Sequence, residues 1–447
     1  MSLNIKNYIK IFFLFLIIFS FFLGYALREN STGAGSEFYH LSWPIIQSFK
    51  KDFMFTINNY GLFEDGTIPF SHIINAYLNP FSNDDVNFQL SITIISFLIF
   101  LVFASILKRT FLNVSPVDIL LTASVFLLLP FFRTIAFWGN NENFGWLFLI
   151  LSLYFFAKIK KDITKIPDNK DLLNTFLFCL LSSCALYARQ ALIFLPISYM
   201  LYLFFNKANK KIIVTSIVSF SILSIPGLLL IFAWGDIYDT KNVDPGEVYG
   251  RWIHHKYILR NIPILLSFFG FYLLPIIIIE FFNSKTKDFF QKYYKSFLFA
   301  IIVFAILTKI NFLDYLGDYS LSGGAILKLN YLIAKNNFLL LLIFSSIGFS
   351  IITRIINEDR KNNIIFLFPI FVLYSVPQAL YQEYAEPLVL IMFFLGLKTS
   401  LRETYFKKVS LSNAILLSYF SIYLISSIYF KHFAFDSLEK WRIFLNS

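Results

Sequence analysis

The sequence predicts an all-α protein, a polytopic transmembrane helical bundle of about 11–13 spans, on three observations. First, 57% of the 447 residues are hydrophobic and only 15% are charged, with a mean hydropathy of +0.67. A soluble domain is about 25% charged, and this chain has too few polar residues to cover a water-soluble globule. Second, apolar runs of roughly 20 residues recur along the chain, the length a helix needs to cross a bilayer. Third, those runs are continuous. A membrane β-barrel would instead show alternating segments of about ten residues.

Taken in order, the predicted spans are 8–27, 89–107, 116–136, 143–157, 172–187, 190–206 and 212–234, followed by 262–283, 295–313, 338–353, 363–380, 387–398 and 411–430. With the N-terminus inside, the even-numbered junctions between these thirteen runs carry the basic clusters. They are Lys108-Arg109, Lys158 to Lys170, Lys207/Lys210/Lys211, Lys285/Lys287/Lys292, Arg354/Arg360/Lys361 and Lys398/Arg402/Lys407/Lys408. This is the positive-inside pattern, and it places the N-terminus in the cytoplasm of a multi-pass inner or plasma membrane protein. The same dispersion of the +11 net charge speaks against a nucleic-acid partner, which wants one contiguous basic face. Lys6 and Lys10 precede the first run, whose length and lack of a small-residue cleavage site suggest an uncleaved anchor rather than a signal peptide. Cys179 and Cys184 lie inside an apolar run and suggest neither a disulfide framework nor a metal site. No internal repeat, low-complexity linker or appended soluble domain stands out, so 1–447 reads as a single membrane domain. The spans look nearly free of internal charge, with Glu280 and Lys309 near their ends.

Candidate chemistry therefore collects in the polar loops of the outer face. The longest is 28–88, where Glu37 to Ile46 and Ile68 to Leu78 have amphipathic helical spacing and suit the membrane surface. Glu37 sits among Phe38, Tyr39 and Trp43. A carboxylate partly desolvated in this way can serve as a general base, although an ordinary loop glutamate has the same appearance. Trp138, Gly139, Asn140, Asn141, Glu142 and Asn143 follow the third run. Amides and a carboxylate can bind sugar hydroxyls and an indole can stack on a pyranose; Gly and Asn also serve plain turns. Arg189-Gln190 interrupts two apolar runs, where an arginine either snorkels or finds an anionic partner such as a phosphate. Residues 235–261 mix acids with Arg251, His254, His255 and Arg260, and residues 381–387 end on Glu386-Pro387.

In this order the patches resemble the GT-C class of membrane glycosyltransferases. They resemble most the eukaryotic α-1,2-glucosyltransferase family that uses dolichyl-phosphate-glucose. An early Asp-Glu of that family would fall on Ser36-Glu37, a Thr-Pro segment on Asp65 to Pro69, an Arg-Gln motif on Arg189-Gln190 and a late Glu-Pro on Glu386-Pro387. Ser36 departs from the family's first acid, and Ala191 and Leu388 depart from its continuations. The resemblance implies an inverting transfer from a polyprenyl-phosphate sugar donor to a lipid, glycan or protein acceptor at the extracytoplasmic face. Glu37 would be its catalytic base, with Trp138, Asn141, Glu142, Arg189, Gln190, Arg251 and Glu386 binding substrate. No cofactor is demanded, and a divalent metal is compatible with the class. The expected partners are the lipid-linked sugar donor, membrane lipids and the acceptor. A lipid-linked oligosaccharide flippase or transporter, and a surface-polysaccharide polymerase, are the alternatives.

Overall fold

The computed structural model describes residues 5–63, 67–140, 142–159, 163–235, 258–284, 286–309, 324–334, 338–377 and 380–434. All regular structure among these residues is helical, and no strand occurs. Among the described residues, nine helices are long and apolar enough to cross a membrane: Asn7–Ala26, Asp85–Thr110, Glu142–Ile159, Asn169–Ala188, Lys210–Trp234, Ile258–Asn283, Lys287–Ile306, Leu339–Glu358 and Val409–His432. The chain is an integral, multi-pass membrane protein.

The other four predicted spans differ in kind, and the reasons are local. The run 116–136 is two helical pieces, Pro116–Leu128 and Pro130–Trp138, that meet at 71°. Leu129 between them is extended, as a residue before proline tends to be. The run 387–398 likewise belongs to Gln382–Gly396, which turns by 88° into Ser400–Lys407. Here Leu397 and Thr399 are extended, and the Thr399 side chain caps the second helix by accepting from the Leu401 N–H. The run 190–206 forms the shorter apolar stretch Gln190–Phe205, and 363–380 the 16-residue helix Arg360–Ser375. Among the described residues the count is therefore nine, or eleven if each bent pair is one span, in place of thirteen.

The helices divide into two compact units, each assembled from separate stretches of chain. One comprises Gly33–Ile106 and Thr134–Gly250. Its residues 34–51 are helical throughout, with a π-helical turn over Phe38–Ser42, and they run on to the short helix Phe53–Asn58, whose N–H of Phe55 is capped by Asp52. The second amphipathic segment forms Phe70–Leu78. The apolar faces of these pieces, Phe38, Ile45, Ile46, Phe49, Ile57 and Ala76, pack with Phe88, Ile92, Phe144 and Trp234 of the long helices. The indole N–H of Trp234 donates to the Ile57 carbonyl at 2.9 Å, and its ring stacks on Tyr60. The first loop is thus a folded cap, its helices held by aromatic packing and not merely laid on a surface.

The other unit comprises Met1–Thr32, Leu107–Arg133 and Arg251–Ser447. Its closest helix pair is Ile258–Asn283 against Leu339–Glu358, where two glycines meet. A Cβ on Gly270 would collide with the Phe344 carbonyl oxygen, and one on Gly348 with the Leu266 carbonyl oxygen. Small residues at a crossing let backbones approach where lipid offers no hydrophobic drive.

This unit also buries paired charges. Arg133, only 2% exposed, donates to both oxygens of buried Glu29 and to the carbonyls of Ser20 and Leu127. Glu280 is ringed by Arg354, Tyr293 and Lys292, and Asp118 pairs with Lys10 at 2.7 Å. These charges lie at or near the ends of the apolar runs, and they are paired.

Gly348→Ala should strain the crossing by about 1–3 kcal/mol, the usual cost of overpacking, and lower the thermal unfolding midpoint in detergent. Leu339→Ala, on an exposed face, should leave that midpoint nearly unchanged. Equal midpoints for the two variants would mean that the helices part without cost.

Candidate functional site

In the unit comprising Gly33–Ile106 and Thr134–Gly250, three stretches of chain converge on a buried polar turn. The helix Pro130–Trp138 ends at Trp138, and the chain turns through Gly139 at φ +75°, a conformation glycine adopts without strain. A Cβ there would press on the rings of Phe88 and Phe38 at about 3 Å, so the turn sits tightly against the Glu37 segment. Tyr39 meets the Trp138 ring edge-on at 6.1 Å. Glu142 then opens the helix Glu142–Ile159. The third stretch is Arg189, the extended residue that ends Asn169–Ala188 and precedes the turn Gln190–Ile193.

Arg189 is 6% exposed, and the helix Glu142–Ile159 clamps it from two positions one turn apart. The Glu142 carboxylate lies 3.0 Å from its Nη1, and its guanidinium carbon stands 4.6 Å above the Trp146 ring. Gly145, between them, makes the approach possible, since a Cβ there would lie 3.1 Å from Arg189 Cβ. An arginine in an apolar bundle needs a counter-charge or a π-face to offset its desolvation, and here it has both. The same turn buries Asn140 and Asn143. Asn143 donates to the Ser96 hydroxyl. Among the described residues, the Asn140 and Asn143 Oδ1 atoms and the Trp146 Nε1 have no hydrogen-bond partner. Buried polar atoms in that state are uncommon and call for a ligand or water.

Of the residues singled out in the sequence, Trp138, Glu142 and Arg189 are brought together here. Gln190 begins the turn after Arg189 and is half-buried. Glu37 ends the helical turn Ala34–Glu37 with its side chain exposed, one residue before the buried Phe38. Asn141 and Arg251, with His254 and His255, lie outside the described residues. Trp146 and Asn143 complete the arrangement; Trp146 had a signal in the sequence, four residues after Glu142 and so on the same helical face.

Glu386 belongs to the other unit. It is fully buried at the start of the helix Glu386–Ile391. One oxygen accepts from the backbone N–H groups of Phe131 and Phe132 at 2.8 and 3.3 Å, and the other from the Tyr272 and Tyr423 hydroxyls at 3.0 and 3.1 Å. Gln382 donates to the same two hydroxyls and accepts from the Ala325 N–H. The carboxylate thus caps the first turn of Pro130–Trp138, where anions are favoured, and its acceptor sites are taken by four donors. Arg260, also buried, donates to Asn261, whose amide in turn donates to the carbonyls of Ser375 and Pro377. Among the described residues no three His, Cys, Asp or Glu side chains are grouped to hold a metal ion.

No family model matches the chain, and no curated protein or solved structure matches it either.

A double-mutant cycle on Glu142→Gln and Arg189→Gln, read by unfolding in detergent, should give a coupling of about 0.5–3 kcal/mol, the range for contacting residues. Additive effects would mean that the 3.0 Å ion pair does not hold the site together.

Proposed function

We propose that this protein is a membrane glycosyltransferase that moves a sugar from a polyprenyl-phosphate donor to a lipid, glycan or protein acceptor at the extracytoplasmic face. The observation that carries the reading is the convergence on one unit of three elements. They are an exposed carboxylate at Glu37, an aromatic and amide turn at Trp138 to Asn143, and a buried guanidinium at Arg189. The chemistry asks for these groups. A hydroxyl acceptor needs a base as it attacks the anomeric carbon, and Glu37 supplies a carboxylate. The departing phosphate needs a cation with a planar donor fork, and Arg189 supplies it. A sugar needs a stacking face and amide acceptors, which Trp138, Asn140 and Asn143 supply. Displacement from the face opposite the phosphate inverts the anomeric centre.

Glu142 has a defined part in this scheme. It neutralises Arg189 while the site is empty and yields the guanidinium to the donor phosphate. The flippase and transporter alternative gains one supporting observation, the paired buried charges of the other unit, since buried charge often marks a transport path. Those charges are fully engaged with one another, so the transferase is preferred.

Glu37→Gln should reduce sugar release from a labelled polyprenyl-phosphate sugar by a factor on the order of 10²–10⁴, the contribution of a general base, with expression unchanged. Unchanged turnover would move the base to another residue. Absence of turnover by the wild-type protein with every donor tried would overturn the reading.

A further inference from the structure

A lysine set against apolar surface is costly unless something offsets its charge. Lys328, on the helix Gly324–Ala334, is half-buried. Among the described residues no carboxylate pairs with it; its Nζ lies 5.3 Å from the centre of the Phe430 ring. Burial, and then repulsion from Lys431, push its pKa down to about 8.

Lys328 lines a cavity of about 660 Å³ within the unit that holds Glu386, a size typical of small-ligand sites. The wall is aromatic and aliphatic, with Phe271, Phe344, Tyr419 and Phe430 contributing. The charged and titratable groups about the amine, among the described residues, are Lys431 and the lining tyrosines Tyr419, Tyr423 and Tyr429.

We propose that this cavity holds an apolar chain of an anionic phospholipid, with the phosphate head group seated at Lys328. Charge complementarity and wall chemistry select this occupant together. A free phosphate would satisfy the amine and leave the aromatic wall wet. A neutral lipid would fill the wall and leave the Lys328 amine without a counter-charge. An anionic lipid does both, and it accounts for a cation placed at the edge of an apolar cavity. This site does not depend on glycosyl transfer, since it uses none of the residues assigned to that reaction.

The test uses the full-length protein, delipidated in detergent. It is offered phosphatidylglycerol or phosphatidylcholine with identical acyl chains, and the retained lipid is counted by native mass spectrometry. At pH 7 the wild type should retain phosphatidylglycerol about tenfold better, the scale of one charge-assisted hydrogen bond. Lys328→Gln should lose the preference and Lys328→Arg should keep it. Raising the pH to 9.5 neutralises a lysine whose pKa is about 8, so the wild type should then release the lipid while Lys328→Arg holds it. That pair also decides the matter if Lys328→Gln fails to fold. Equal retention of the two lipids, or no pH difference between wild type and Lys328→Arg, would overturn the proposal. Release of phosphatidylglycerol by an equal concentration of inorganic phosphate would overturn it too, by assigning the site to a free anion.

Discussion

A helical bundle in lipid has no water to satisfy its polar groups, so each must be satisfied by another part of the same chain. That constraint is visible in the unit that holds Glu386. Arg133 is met by Glu29 and two carbonyls, Glu280 by Arg354 and Tyr293, and Glu386 by two backbone amides and two tyrosines. Buried pairs of this kind add little net stability, because desolvation consumes most of the Coulomb gain, whereas removing one partner costs several kcal/mol. Their effect is on register. A carboxylate that needs four donors accepts few arrangements of the helices that supply them. The break at Leu129 follows from the same rule, since Glu386 takes the N–H groups that Pro130 and the helix start leave without intrahelical acceptors.

Much of the fold was legible in the sequence because long apolar runs have one dominant meaning in a membrane protein. Nine of the predicted spans are full-length helices. What composition could not show was where a run fails to stay straight. Pro130 offered a signal for the first break, through its effect on Leu129. The second turns on an extended Leu397 and a threonine cap at Thr399, which hydropathy averages away. The division of the helices into two units leaves no mark on composition at all, because each unit is made of the same kind of apolar helix from separate stretches.

The candidate site was legible residue by residue but not in its pairings. Glu142 and Arg189 each stood out as polar residues beside apolar runs, yet only folding brings residues 47 positions apart to 3.0 Å. Glu386 stood out for the same reason, and its surroundings are tyrosines and amides of its own unit. Arg133 was hidden, being a single charge within a strongly apolar run, and its partner Glu29 lay just past the end of another. Sequence distance conceals such pairs because the chain closes them through tertiary packing alone.

The clamp on Arg189 also bears on what can occupy the site in a salt-containing medium. A bare guanidinium near a membrane surface would collect chloride, which is abundant compared with any lipid-borne anion. With Glu142 already 3.0 Å away, an incoming anion must outcompete a carboxylate that is covalently part of the protein and so present at high effective concentration. A small monoanion brings little with which to displace it. A larger anion that also places a ring against Trp138 and hydroxyls near Asn140 and Asn143 brings several contacts at once. In the proposed transferase the tethered carboxylate would act as a threshold, favouring anions that bring further contacts over anions in general.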